Sequence, residues 1–143
     1  MRVDFNETFA VPIEQAFSYF PTPHDWIRLF GFAGNVADRG NGWYAIPMKR
    51  SPFPLISRVD IVVPNQRVHW IFGGIWRGEG DVNFSPAPNG TTIHGFEEIH
   101  IPHLLGIGPW LERRYLQRPF ERLWESGWKK LRRASPAREP LIA

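Results

Sequence analysis

The chain contains no cysteine, which excludes a disulfide framework, a thiolate metal site and a cysteine nucleophile. No stretch approaches the roughly 18 uninterrupted apolar residues that a membrane span needs, and the N-terminus lacks the charged, apolar and small-residue order of a secretory signal. A cytoplasmic location is the default expectation. The glycines Gly73, Gly74, Gly78 and Gly80 lack the spacing and strand–helix context of a phosphate loop. They read instead as sheet curvature, because glycine inside a strand marks a bend, a bulge or a close approach by another group.

What is abundant is aromatic surface. Phe, Trp and Tyr make up 15% of the chain and seven residues are Trp, more than a domain of this size needs for packing. Large flat side chains either wall a cavity or fill it. A chain of 143 residues is near the usual size of one domain and buries about two-thirds of its unfolded surface. The formal net charge of +3 is uneven: residues 113–143 hold nine Lys or Arg against three Glu, so the rest of the chain is net acidic.

Periodicity divides the chain into elements. Val3, Phe5 and Phe9 alternate with Arg2, Asp4, Asn6 and Thr8, the period of a half-buried strand, and Glu7 falls on the apolar side. A short helix over Val11–Phe20 follows, with Pro12 as an early helical residue and Phe9, Ile13, Ala16, Phe17 and Phe20 at helical spacing. Pro21-Thr22-Pro23 breaks the chain, and Thr22 or Asp25 can cap a second short helix holding Trp26, Ile27 and Phe30. Two short strands come next, the second over Trp43–Met48, with Asn41-Gly42 as their hairpin turn. Four longer strands are predicted over Ser57–Val63, Arg67–Phe72, Trp76–Phe84 and Thr91–Ile101, the last grouping Ile93, Gly95, Glu97, Ile99 and Ile101 on one face. Pro109–Arg133 carries a helical pattern through Leu116, Phe120, Leu123, Trp124, Gly127 and Leu131, with a kink expected at Pro119. One domain over residues 1–134 with a flexible tail from Ser135 is the expected organisation.

This order of elements resembles the START-like, or Bet v1-like, superfamily (SRPBCC), including its polyketide cyclase/dehydrase group. The resemblance spans nearly the whole chain and is carried by Val11-Pro12-Ile13-Glu14-Gln15-Ala16-Phe17-Ser18-Tyr19-Phe20, by Pro23-His24-Asp25-Trp26 and by Asn89-Gly90-Thr91-Thr92-Ile93. It implies an α+β helix-grip fold: a curved antiparallel sheet of about seven strands wrapped around a long C-terminal helix. It also implies a cavity for a small apolar or aromatic molecule, and no particular reaction. Two features depart from the family's common look, the proline in the final helix and the density of Trp and Phe. A kink at Pro119 would open a mouth between helix and sheet, whereas Trp70, Trp76, Trp124 and Trp128 would fill the space.

Candidate ligand-binding residues are Phe17, Trp26, Trp70, Trp76, Tyr115, Phe120 and Trp124, and candidate catalytic residues are Glu7 and Glu97. Both glutamates interrupt an apolar face, and the first and last strands are neighbours in the resembled fold. Two carboxylates on one apolar wall would have a raised pKa suited to acid–base work. The competing assignment puts them at strand ends or in pairs with an arginine such as Arg77 or Arg114. His94, Glu98 and His100 share the opposite face of the last strand. Side chains two apart on a strand are parallel rather than convergent, so a solvated polar face is favoured over a metal site. His24 beside the second helix is a candidate acid or base at a cavity mouth or a surface residue, and neither His69 nor His103 has an identifiable partner. Tyr19, Tyr44 and Tyr115 can orient a ligand by their hydroxyls or close the edge of a core. No Ser–His–Asp constellation is evident.

The basic end is a further candidate. Arg113, Arg114, Arg118, Arg122, Lys129, Lys130, Arg132, Arg133 and Arg138 can face phosphates or an anionic membrane surface. Otherwise they keep the outer face of an amphipathic helix soluble, with Glu112, Glu121 and Glu125 in helical ion pairs. The favoured function is binding of a small hydrophobic or aromatic ligand. A cyclase- or dehydrase-type enzyme using cavity carboxylates and an interaction protein using the basic helix are the alternatives. No cofactor, metal or nucleic acid is expected.

Overall fold

A computed structural model describes residues 1–30, 34–48, 53–101, 110 and 117–134. The elements are β1 (Arg2–Phe9), α1 (Ile13–Phe17), α2 (Pro23–Leu29), β2 (Ala37–Gly40), β3 (Trp43–Ile46), β4 (Leu55–Val63), β5 (Arg67–Gly73), β6 (Arg77–Ala87), β7 (Gly90–His100) and α3 (Arg118–Arg133). The seven strands form one curved antiparallel sheet in the order β1-β7-β6-β5-β4-β3-β2. The first strand and the last are therefore neighbours, as the resembled fold requires. The architecture is α+β and of helix-grip type, with α3 laid on the inner face of the sheet against β1 and α2.

Alternation sorts the sheet into two faces. Phe5, Phe9, Val68, Trp70, Phe72, Val82, Phe84, Ile93 and Ile99 are buried on the inner face, while Arg2, Asp4, Asp60, Glu79, His94 and His100 are exposed on the outer one. On α3, Phe120, Trp124, Gly127, Trp128 and Leu131 are buried, the stripe that three- and four-residue spacing presents to one side. Turns follow local chemistry: Asn41 (φ 55°) and Gly42 (φ 81°) form the β2–β3 hairpin with both central residues at positive φ.

Of the two short helices, α2 starts as expected and α1 does not. Pro12 has an extended backbone and stands just outside α1, its carbonyl accepting from the Gln15 and Ala16 amides at 3.0 and 3.1 Å. The helix is only five residues long, half the predicted span, because the apolar periodicity continues through turn residues beyond its end. Thr22 caps α2, accepting from the Asp25 amide at 3.2 Å while its hydroxyl donates to the Asp25 carboxylate at 2.9 Å, and Pro23 occupies the first turn. Pro119 likewise lies in the first turn of α3. Tyr115, whose carbonyl it would leave unpaired, and the tail from Ser135 lie outside the described residues.

Candidate functional site

Strand register assembles the site. Trp70 on β5 is the partner of Gly80 on β6, and Gly80 is the partner of Glu97 on β7. The three residues form one row across the inner face. A side chain at Gly80 would overlap the Trp70 indole, so its absence lets that indole lie across β6 and reach the next strand. Trp70 Nε1 donates to Glu97 Oε2 at 3.2 Å, and from α3 above, Trp124 Nε1 donates to Glu97 Oε1 at 3.1 Å. The glycine read as curvature thus serves a close approach.

Glu97 is 6% exposed. Burial pushes its carboxyl up to about 7, against the opposing pull of the Trp124 and Trp70 hydrogen bonds, which favour the ionised form. Among the described residues no cation pairs with it. Its ionisation costs about 3 kcal/mol relative to water, at roughly 1.4 kcal/mol per pKa unit. Burying one Trp contributes about 4–6 kcal/mol at ~25 cal/mol per Å², and Trp26, Trp70 and Trp124 are all buried around the carboxyl. Aromatic burial therefore outweighs the unpaired acid.

The aromatic groups form one connected cluster. Trp124 stacks on Phe5 with ring centroids 4.5 Å apart, meets Phe30 edge-on at 5.0 Å and lies 6.4 Å from Trp70, which is 5.1 Å from Trp26. Between the sheet, α2 and α3 this packing leaves a pocket of about 20 Å³, bounded by Phe20, Trp26, Phe30, Leu55, Trp70, Glu97, Leu123 and Trp124. That is room for one water molecule. At this place the tryptophans fill the space between helix and sheet.

Of the predicted ligand-binding residues, Trp26, Trp70 and Trp124 come together here, whereas Phe17, Trp76 and Phe120 do not. Phe17 packs edge-on against Phe84 at 5.4 Å. Trp76 is buried, with its Nε1 donating to the Pro54 carbonyl at 2.8 Å. Phe120 is buried at the start of α3, outside the residues bounding the pocket, and Tyr115 lies outside the described residues. Trp26 Nε1 is also satisfied by backbone, donating to the Phe20 carbonyl at 2.8 Å.

The two glutamates are not partners. Glu97 stands opposite Val3 whereas Glu7 stands opposite Ile93, four residues further along the ladder. Glu7 is paired instead with Arg132 of α3 at 2.7 Å, an arginine other than the two singled out from sequence. His69 does have partners: its Nδ1 is 2.5 Å from Asp60 Oδ1 and its Nε2 is 3.4 Å from Glu79 Oε1. Cross-strand neighbours of this kind cannot be read from one strand's pattern. His24 is exposed and lies edge-on to Tyr44 at 5.3 Å. His94 is exposed, and Glu98 lies 3.4 Å from His100. Among the described residues no cluster of three or more His, Asp or Glu is placed to hold a metal ion. His103, Arg113, Arg114 and Arg138 lie outside them.

Phe20, Phe30, Leu55 and Leu123 also bound the pocket and were missed as site residues. Phe20 and Phe30 were visible only as apolar positions of the two short helices, and nothing local distinguishes a pocket wall from core.

No protein-family model matches the chain, and no curated protein matches it. Solved structures do. A conserved protein from Geobacillus kaustophilus is similar with a TM-score of 0.70 at 13% identity, over 94% of this chain and 95% of that one. A protein from Thermus thermophilus is similar at 0.67 and 16% identity, over 98% and 100%. A dimer from Colwellia psychrerythraea, solved in solution, is similar at 0.63 and 12% identity, over 98% and 99%. Likeness at these identities is likeness of fold, shared over whole chains of small conserved proteins. No helix among the described residues is long and apolar enough to cross a membrane.

Proposed function

We propose that the protein is a START-like binder of a small hydrophobic or aromatic molecule, taken up between the sheet and α3 with Glu97 as its polar anchor. The observation that carries this reading is a buried carboxyl, without a cation among the described residues, placed in an aromatic pocket. Folds gain nothing in stability from such a group, since an apolar side chain of the same shape would pack at lower cost. Ligand pockets, in contrast, combine apolar walls with a few convergent polar groups. The pocket as it stands is the closed form. Its walls come from separate elements, the sheet, α2 and α3, and Leu123 at its margin is only half-buried, so uptake proceeds by displacement of α3 and the Phe20–Phe30 corner.

A second reading rests on the same residue. With a carboxyl titrating near 7, Glu97 is suited to give and take protons as a general acid–base group in a cyclase- or dehydrase-type reaction. It would act alone, because Glu7 is engaged with Arg132.

The test is native mass spectrometry of the purified protein, alongside Trp fluorescence titrations with aromatic polyketide-like compounds, fatty acids and sterols. A retained small molecule or saturable quenching is the expected result. A flat response to all three classes would turn attention to the basic face of α3.

A further inference from the structure

Resting on the reading of this pocket as a ligand site, the geometry points to a compact organic amine as its guest, bound through nitrogen to Glu97 and enclosed by the Trp26, Trp70 and Trp124 rings. The argument starts from what the carboxyl lacks. Both oxygens accept from indole N–H groups, one from Trp70 and one from Trp124. Indole N–H is a donor only. In the ionised form Glu97 carries a charge for which the described residues offer no cation. The remaining residues that bound the pocket, Phe20, Trp26, Phe30, Leu55 and Leu123, have uncharged side chains and supply none.

A guest that stabilises the ionised form must bring a cation. A hydrocarbon, a carbonyl, an ether or an alcohol brings none. At pH 7 an alkyl amine, like a lysine side chain of pKa about 10.4, is already an ammonium. As it binds, Glu97 releases its own proton to solvent, leaving a carboxylate and an ammonium joined by a charge-assisted hydrogen bond. Each indole N–H then donates to a full carboxylate, and the ammonium meets the electron-rich faces of indole rings, the strongest aromatic partners for a cation. A metal ion fits poorly. Hard divalent cations take six or more oxygen ligands, and the pocket offers one carboxylate with both oxygens engaged.

Three guests of one shape test this: cyclohexylamine, cyclohexanol and methylcyclohexane, titrated at pH 7 into protein with ¹⁵N-labelled tryptophan. The readout is the indole N–H signals of Trp70 and Trp124, assigned from Trp70→Phe and Trp124→Phe. Cyclohexylamine is expected to shift both signals saturably and to bind at least tenfold more tightly than cyclohexanol, with methylcyclohexane weaker again. Glu97→Gln is expected to abolish that order, and Glu97→Asp to retain it in part. Binding of the alcohol or the hydrocarbon as tightly as the amine would overturn the inference while leaving the ligand-binding function standing. An amine preference that survives in Glu97→Gln would also overturn it, by placing the recognition elsewhere. Silence of both signals toward all three compounds would count against the pocket itself. The comparison of guests on the native protein stands even if a Glu97 variant fails to fold.

Discussion

Glu97 is the residue on which most depends, and its environment fixes the sign of a pH effect. The carboxyl has an ordinary value of 4.5 and a folded-state value of about 7. Between those limits the folded protein binds more protons than the unfolded chain, so stability falls as pH rises through this window and levels off above it, by roughly 3 kcal/mol in all from this group. Denaturant unfolding at pH 5, 6, 7 and 8 is expected to show that fall in the native protein and its loss in Glu97→Gln. Parallel profiles for the two proteins would mean that Glu97 does not titrate there. Gly80 yields a second prediction. In Gly80→Ala the new methyl overlaps the Trp70 indole, and since Trp70 is 2% exposed the ring has little room to retreat. We expect a loss of about 1–3 kcal/mol, the range for overpacking a core, with the Trp70 indole N–H signal moved from its native position. An unchanged signal would show that the indole does not depend on the gap. Sequence periodicity placed Glu97 on the apolar face of its strand. It could not pair Glu97 with Trp70, which lies two strands away, or with Trp124, because register and helix docking are tertiary facts.

At the scale of elements, α3 is held down by close backbone approach as well as by its apolar stripe. A Cβ on Gly127 would lie 2.5 Å from Phe30 Cε1 and 2.9 Å from Phe30 Cδ1. Two effects oppose each other in Gly127→Ala. Helix propensity favours alanine by about 1 kcal/mol, while overpacking against a ring only 6% exposed costs roughly 1–3 kcal/mol. The clash is expected to win, with a net loss of up to about 2 kcal/mol in denaturant unfolding and a weaker hold of α3 on α2. A gain in stability would show that Phe30 yields freely. The longer strands were legible in the sequence to within a few residues because each has a buried face and a period near two, whereas β2 is exposed throughout and offered no such pattern. The least legible element was α1: Phe9, Ile13, Ala16, Phe17 and Phe20 fall at helical spacing, yet Phe9 ends a strand and Phe20 follows the helix. An apolar position records burial whatever backbone carries it.

At the scale of the molecule, the composition posed a choice between a wall of aromatic rings and a plug of them. Among the described residues the plug is what forms beside Glu97, with about 20 Å³ left. Composition could not decide this, because the same rings serve either arrangement and only their docking separates the two. If the closed pocket limits uptake, ligand affinity includes the free energy of opening, and a variant that begins more open should bind more tightly. Leu123→Ala tests this. Leu123 bounds the pocket from α3 and is half-buried, so its truncation enlarges the space at the margin and leaves Glu97, Trp70 and Trp124 in place. Full burial of a leucine makes such a change cost about 2–5 kcal/mol, and partial exposure puts this one at about 2 kcal/mol or less. The expected outcome is a protein of lower stability that binds cyclohexylamine more tightly, read from the Trp70 and Trp124 indole signals and from denaturant unfolding of the same samples. Lower stability with unchanged affinity would show that opening is not the limiting cost. Affinity would then be set at Glu97 alone, and a search for natural guests would be guided by nitrogen chemistry rather than by size.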